Sequence, residues 1–144
     1  MAYDILTLAA DDSAALDDCY AVFAVLRPHL DLATFRARVL LQYQEGYRIA
    51  YIRVDGRVVA AAGYRIAHFL AWGRTLYLDD LITHPEMKKA GLAQALMDAL
   101  MATAKAEGCD EFHLDTGYQR HDAHRFYLKN GLELNCHHLA KKLR

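Results

Sequence analysis

The sequence has few cysteines, no excess of either charge and no long hydrophobic run. Its three cysteines, Cys19, Cys109 and Cys136, are widely separated and odd in number, which argues against a disulfide framework and a CxxC metal site. Buried thiols in a reducing cytoplasm are the simpler interpretation. Seventeen basic residues nearly balance eighteen acidic ones, for a formal net charge of -1, so nucleic acid is not favoured as a partner.

Signals for export or membrane insertion are also missing. The N-terminal segment MAYDILTLAADD has no basic stretch or long apolar run, and no later segment approaches the roughly 18 apolar residues of a membrane span. We therefore expect a cytoplasmic protein with no membrane partner. With 144 residues, of which 54% are hydrophobic, the chain suits a single domain over residues 1–144.

Turn and cap residues divide the chain into strand-like and helical segments. The strand-like run YDILTLAA precedes two helical patterns, which end at Pro28 and Gly46. The runs YRIAYIRV and RVVAAAGYRIAHFL flank Asp55-Gly56, a dipeptide typical of hairpin turns. Then follow the strand TLYLDDLIT, a helix over about 91–107, the strand DEFHLDTG, the helix HDAHRFYLKN and a final strand LELNCHHLAKKL. These patterns predict one α+β domain.

The segment HPEMKKAGLAQALM places two lysines and one glycine directly in front of a helical pattern. A helix N-terminus leaves backbone N–H groups without partners and carries the positive end of the helix dipole. Gly91 and Ala93 are small enough to allow close approach, and Lys88 and Lys89 add positive charge. The arrangement fits a pyrophosphate, although such a glycine is often only a turn on a solvated surface.

Two motifs and the order of the segments resemble the GCN5-related N-acetyltransferase (GNAT) family. Lys88, Gly91 and Ala93 match the family segment Arg/Gln-x-x-Gly-x-Gly/Ala, which binds the coenzyme A pyrophosphate through backbone amides. Lys88 keeps the positive charge of the usual arginine but lacks its planar fork. The second family motif, a helix ending in Phe-Tyr-x-x-x-Gly-Phe, is matched by four residues, Phe126, Tyr127, Gly131 and Leu132.

The resemblance implies a GNAT-like fold, with a mostly antiparallel central sheet, helices on both faces and the order β-α-α-β-β-β-α-β-α-β. It implies an enzyme that transfers an acetyl group from acetyl-CoA to an amine by direct attack in a ternary complex. Two segments are then expected to bind the coenzyme: Leu81, Ile82 and Thr83 on the strand, and Lys88, Lys89, Ala90, Gly91, Leu92 and Ala93 at the helix start. Tyr127 matches the tyrosine near the coenzyme sulfur, usually the general acid, whose pKa of about 10 keeps it protonated at neutral pH.

Asp79 and Asp80 are candidates for the base that removes a proton from the attacking amine. Because they are adjacent on a strand, we expect their side chains to point to opposite faces. By resemblance, Asp79 matches the position where some family members place a catalytic glutamate, and its shorter side chain favours a water relay. Alternatively, the pair is a polar strand end or recognises a cationic substrate.

The sequence does not decide whether the acceptor is a small amine, an antibiotic, or a protein or peptide amine. In this fold the first two helices and the loop before the central strand line its groove, here with seven residues: Tyr20, Arg27, Arg36, Tyr43, His68, Phe69 and Trp72. Arginines beside aromatic residues suit an amine that also bears a carboxylate. Alternatively, these residues only pack against the protein or contact solvent. The last strand offers an edge for a possible homodimer.

Two other functions compete with catalysis of acetyl transfer. A non-catalytic acyl-CoA-binding sensor or regulatory domain would keep the same fold. A metal-dependent hydrolase would use His121 and His124, three apart on one helix, together with His137 and His138. Histidine pairs of this kind are more often structural, so we expect no metal.

Overall fold

The computed structural model describes residues 3–144 and divides into two compact units, with the boundary between His113 and Leu114. The single domain expected from the sequence stays a prediction. No helix within the described residues is long and apolar enough to cross a membrane.

One five-stranded sheet has the strand order β1-β2-β3-β4-β5, and β1 to β4 are antiparallel. In chain order the elements are β1 (Leu6–Thr7), α1 (Ser13–Leu26), α2 (Leu32–Gln44), β2 (Tyr47–Val54), β3 (Arg57–Phe69), β4 (Gly73–Thr83), a 3-10 turn (Pro85–Met87), α3 (Leu92–Ala106), β5 (Glu111–Leu114) and α4 (His121–Lys129). The predicted mixed α+β fold with a mostly antiparallel sheet is confirmed.

Local signals start and join these elements where the sequence indicated. The Asp12 carboxylate accepts a hydrogen bond from the Ala15 N–H and caps α1, and Asp31 caps α2 in the same way through Thr34. At the hairpin between β2 and β3, Asp55 and Gly56 have φ values of 52° and 75°, so the turn needs the left-handed backbone that glycine adopts at low cost.

The main core lies where α1 and α2 pack on the sheet. α1 buries residues spaced three or four apart, which places them on one helix face: Ala15, Leu16, Cys19, Val22 and Phe23. Phe35 and Val39 of α2 and Tyr47 and Ile49 of β2 belong to the same cluster. This packing fixes the position of β2 to β4, and β4 carries Asp79 and Asp80.

The final strand predicted for LELNCHHLAKKL is wrong. Residues 132–144 form neither helix nor strand, and Leu134, Leu139 and Leu143 are 72%, 89% and 88% exposed. Alternation of apolar and polar residues indicates a strand only where a neighbouring strand pairs with it and one face is covered. Here the apolar side chains that suggested a covered face lie in solvent, so the element order ends at α4.

Candidate active site

A β-bulge in β4 changes the direction of its two aspartates. Gly63 of β3 pairs with Asp80, but the next residue, Tyr64, pairs with Leu78, so Asp79 is an extra residue on β4. An extra residue interrupts the side-chain alternation of a strand. The prediction that Asp79 and Asp80 face opposite sides is therefore wrong, and both line one cavity.

This cavity has a volume of about 410 Å³ and lies entirely within the first unit. Side chains from α1, α2 and the segment between them form one wall, and β2, β3 and β4 form the other. Its charged lining consists of Arg27, Arg38, Arg65, Asp79 and Asp80. The volume lies within the range of small-molecule sites, and the lining combines these charged groups with the apolar side chains of Phe23, Leu30, Phe35 and Val39.

Each aspartate of the cavity is held by an arginine. Arg27 donates to Asp80 Oδ1 from Nε at 3.1 Å and from Nη2 at 2.8 Å. Arg65 donates to Asp79 Oδ2 from Nε at 2.9 Å and from Nη2 at 2.6 Å. Burial nevertheless raises the pKa of Asp79, because the loss of solvent outweighs the opposing effect of Arg65. Asp79 is therefore a stronger proton acceptor than an ordinary exposed aspartate.

Tyr47 closes the floor of the cavity against Asp80. Its hydroxyl donates to Asp80 Oδ2 at 2.6 Å, and burial, together with the neighbouring Asp80, raises the pKa of Tyr47 well above its ordinary value. The ring fits only because residue 63 has no side chain: a Cβ on Gly63 would lie 1.6 Å from the Tyr47 hydroxyl oxygen. Gly63 thus serves a close approach between β3 and a side chain of β2.

The segment before α3 has open backbone N–H groups. Gly91 is the N-cap of α3 with φ of 78° and no side-chain cap, and Lys89 also has a positive φ of 67°. Within residues 3–144, the N–H groups of Gly91, Leu92 and Ala93 have no hydrogen-bond acceptor. A Cβ on Gly91 would meet nothing within 4 Å, so open space surrounds this turn.

Charge and anchoring fit this segment to a phosphate-bearing group. Lys88 and Lys89 are exposed, while the Leu92 side chain is buried and fixes the first turn of α3. The carbonyl of Ala90 accepts a hydrogen bond from the Tyr3 hydroxyl at 2.7 Å, a contact that sequence reasoning did not anticipate. Unpaired amides at the positive end of a helix dipole, with two lysines beside them, are suited to a pyrophosphate.

The end of β4 presents backbone groups away from β3. The His84 N–H donates to the Val59 carbonyl at 2.7 Å, which fixes the hydrogen-bonding alternation in this part of the ladder. The backbone of Ile82 then pairs with β3, whereas the N–H and C=O groups of Leu81 and Thr83 point to the opposite edge. Leu81 and Thr83 are thus the predicted strand residues able to pair with an extended ligand.

Tyr127 lies in the second unit, on α4. Its side chain is 7% exposed, and burial raises its pKa, although the charge and hydrogen bond of Arg120 oppose the change. The turn after α4 holds the helix end, since the Leu132 N–H donates to the Tyr127 carbonyl at 3.1 Å. A buried phenol with a raised pKa remains a proton donor at neutral and mildly alkaline pH.

The histidines considered as zinc ligands each have another protein neighbour. His124 Nε2 donates to the Gly117 carbonyl at 2.7 Å, and His137 Nδ1 is hydrogen-bonded to the Tyr118 hydroxyl at 2.7 Å. His121 contacts the His124 ring edge-on, with ring centroids 6.1 Å apart. In the described part of the chain, no three His, Cys, Asp or Glu side chains are grouped to hold a metal ion.

Of the seven residues expected to line the acceptor groove, only Arg27 lines the cavity. The Tyr20 and Tyr43 hydroxyls donate to backbone carbonyls, and Arg36 pairs with Asp17. At the tip of the hairpin between β3 and β4, Trp72 stacks on the His113 ring at 3.6 Å, with Phe69 beside it and His68 on the adjoining end of β3.

Sequence reasoning named only Arg27, Asp79 and Asp80 among the cavity residues, and it missed Arg38, Tyr47 and Arg65 along with the rest of the lining. A signal existed for one of them: Arg38 follows the buried Phe35 at helical spacing and precedes the buried Val39, so it borders the apolar face of α2. Arg36 borders the opposite side of the same face and pairs with Asp17 of α1, so the helix pattern alone does not separate the two arginines.

Comparison with known proteins places these features in context. The profile of the Acetyltransferase (GNAT) family matches residues 13–132. An uncharacterized N-acetyltransferase, YhdJ, of Bacillus subtilis is 29% identical over 111 residues, covering 76% of this chain and 78% of the relative. Aminoalkylphosphonate N-acetyltransferase of Salmonella typhimurium is 27% identical over 148 residues, covering 97% of this chain and 95% of the relative. The solved aminoglycoside N-acetyltransferase AAC(6')-Iy, in complex with CoA, has a TM-score of 0.84 at 18% identity, with 98% and 94% coverage.

Proposed function

Because the chain belongs to the GNAT acetyltransferase family and is an acyltransferase, we propose that it acetylates the amine of an acceptor from acetyl-CoA by direct attack in a ternary complex. The observation that carries the proposal is the start of α3. There the open amides of Gly91, Leu92 and Ala93 lie beside Lys88 and Lys89, within the segment that the family profile matches.

Acetyl-CoA supplies the acetyl group as a thioester. The amides at the start of α3 bind its pyrophosphate, Lys88 and Lys89 add charge attraction, and the backbone groups of Leu81 and Thr83 pair with the pantetheine arm. Ile82 keeps the strand in register through its bonds to β3, and Ala90 allows close approach by its small side chain. These roles need backbone geometry more than particular side chains.

The cavity beside the bulge binds the acceptor amine. Asp79, with its raised pKa, accepts a proton from the amine through a water, and Arg65 keeps its carboxylate in place. Asp80, held by Arg27 and Tyr47, positions the ammonium before it loses its proton. The name of the Salmonella relative supports a small-molecule amine as acceptor.

Tyr127 supplies the proton that the departing thiolate needs. Its buried phenol has a raised pKa, so it is protonated when turnover requires a donor. Phe would keep the ring and its packing and remove only the hydroxyl. We expect Tyr127→Phe to lower kcat at least tenfold and to leave the affinity for acetyl-CoA unchanged.

The test measures thiol release from acetyl-CoA with a panel of amines and, separately, acetyl-CoA binding by calorimetry. Tyr118→Phe is the matched control, because Tyr118 belongs to the same unit and is 74% exposed. Unchanged kcat in Tyr127→Phe would contradict the acid role. Tight acetyl-CoA binding without thiol release for any amine would instead favour the non-catalytic sensor.

A further inference from the structure

The charged lining of the acceptor cavity has a surplus of positive charge. Three arginines face two aspartates, and each aspartate is already held by one arginine. The remaining arginine, Arg38, has no acidic partner among residues 3–144. His29 also lines the cavity.

The unpaired positive charge is available to a ligand. Arg38 is exposed on α2, on the border of the face that buries Phe35 and Val39, so its guanidinium reaches the cavity without displacing core side chains. Arg27 bonds to Asp80 through Nε and Nη2, which leaves the second terminal nitrogen, Nη1, to donate elsewhere. Both guanidinium groups are planar forks that match the oxygen pairs of carboxylates and phosphonates.

The aspartates are not free to receive several cations. Asp79 and Asp80 have side-chain exposures of 19% and 15%, and each accepts two bonds from its arginine. An acceptor with several ammonium groups would therefore meet surplus positive charge and no unpaired carboxylate, which is unfavourable at close range. An amine that carries an anion on the same small molecule would instead offer Arg38 an acidic partner while its ammonium faces the aspartates.

We propose that this cavity selects small amines that also bear a carboxylate or phosphonate group, with Arg38 and Arg27 binding the anion and the aspartates facing the amine. The inference rests on the proposed acetyltransferase function and deepens it by naming the acceptor class. Arg38 is a specificity residue in this arrangement, not a catalytic one.

The experiment compares kcat/KM for four acceptors by thiol release. 2-Aminoethylphosphonate and β-alanine carry an anion, propylamine lacks it, and kanamycin carries several amines and no anion. We expect kcat/KM to be at least tenfold higher for one or both anionic amines than for propylamine and kanamycin. The carboxylate and phosphonate arms then identify which anion the site prefers.

Two variants on α2 assign the effect to the cavity. Arg38→Gln should raise the KM for the preferred anionic amine about tenfold and should not raise the KM for propylamine, which has no anion for Arg38 to bind. Arg36→Gln is the matched control, since Arg36 lies on the same helix but pairs with Asp17 outside the cavity. An equal change in both variants, or in both acceptors, would overturn the role of Arg38.

The remaining outcomes separate this inference from the function on which it rests. Equal or better turnover of propylamine or kanamycin would overturn the inference and leave the acetyltransferase intact. If acetyl-CoA binds but no amine is acetylated, calorimetry of the acetyl-CoA complex with 2-aminoethylphosphonate and β-alanine decides, and absence of binding refutes the inference. Failure to bind acetyl-CoA would refute the proposed function itself.

Discussion

Replacing Gly63 with alanine should destabilise the protein by displacing Tyr47 from Asp80. The added Cβ would lie 1.6 Å from the Tyr47 hydroxyl oxygen and 2.3 Å from Cζ, where ordinary contact begins at 3.4 Å, so the ring must retreat by roughly 2 Å. Tyr47 is 2% exposed and has little free space to enter. Overpacking of a core costs about 1–3 kcal/mol, and loss of a hydrogen bond to a charged group costs about 1.5–3 kcal/mol. We expect a loss of about 3 kcal/mol or more.

Urea unfolding followed by circular dichroism measures this loss, with the midpoint and slope fitted separately. Gly117→Ala is the control, because its Cβ would meet only the flexible amide end of Gln119, at 2.7 Å. In a Tyr47→Ala background the obstructing ring is absent, so Gly63→Ala should then cost less than about 1 kcal/mol. The two substitutions should therefore be strongly non-additive.

A loss below about 0.5 kcal/mol for Gly63→Ala in the wild-type background would refute the reasoning, because the close approach would then not constrain Tyr47. An equal loss in both backgrounds would refute it in a different way. The cost would then come from the β3 backbone, not from contact with the ring. In either case the floor of the acceptor cavity would need another explanation than the glycine.

Two further predictions concern titratable groups. Burial raises the pKa of Asp79, and a base must be deprotonated, so kcat/KM should fall as pH drops through a value above the ordinary aspartate range. Asp79→Asn should lower kcat/KM at least tenfold and abolish this fall at low pH. An unchanged pH profile in that variant would exclude Asp79 as the base. Burial raises the pKa of Cys19 to about 12, because the folded state favours the neutral thiol. The contribution of this thiol to the free energy of unfolding should be fully present at pH values below the ordinary thiol pKa and should be lost as pH rises toward 12. Iodoacetamide at pH 8, read by peptide mass spectrometry, should modify exposed Cys136 first, and early labelling of Cys19 would contradict its burial.

Signals that act over a few residues allowed most of the fold to be predicted. The caps Asp12 and Asp31, the turn at Asp55-Gly56 and the glycine before α3 each satisfy a local backbone requirement, and such requirements are visible in the sequence. The last strand failed because strand formation depends on a partner strand elsewhere. The alternating pattern around Leu134 is the same whether that side chain is covered or, as here, exposed.

The acceptor cavity was only partly predictable, because its geometry depends on pairing between distant strands. The bulge that turns Asp79 and Asp80 to one side arises from their register with Gly63, and no local pattern marks it. Arg36 and Arg38 flank opposite sides of the face that buries Phe35 and Val39, and only the elements packed against α2 decide that Arg38 lines the cavity while Arg36 pairs with Asp17. The coenzyme segment was more accessible to prediction, since it lies in one continuous stretch of chain.

The central claim is that the start of α3 binds the pyrophosphate of acetyl-CoA. Calorimetric titration of the wild-type protein with acetyl-CoA and with acetylated pantetheine, which lacks the pyrophosphate, tests it most directly. We predict at least tenfold tighter binding of acetyl-CoA than of acetylated pantetheine, and loss of that preference in Gly91→Glu, whose carboxylate would repel the phosphates from the open amides. Equal affinity for the two compounds, or a Gly91→Glu variant that binds acetyl-CoA as wild type does, would contradict it.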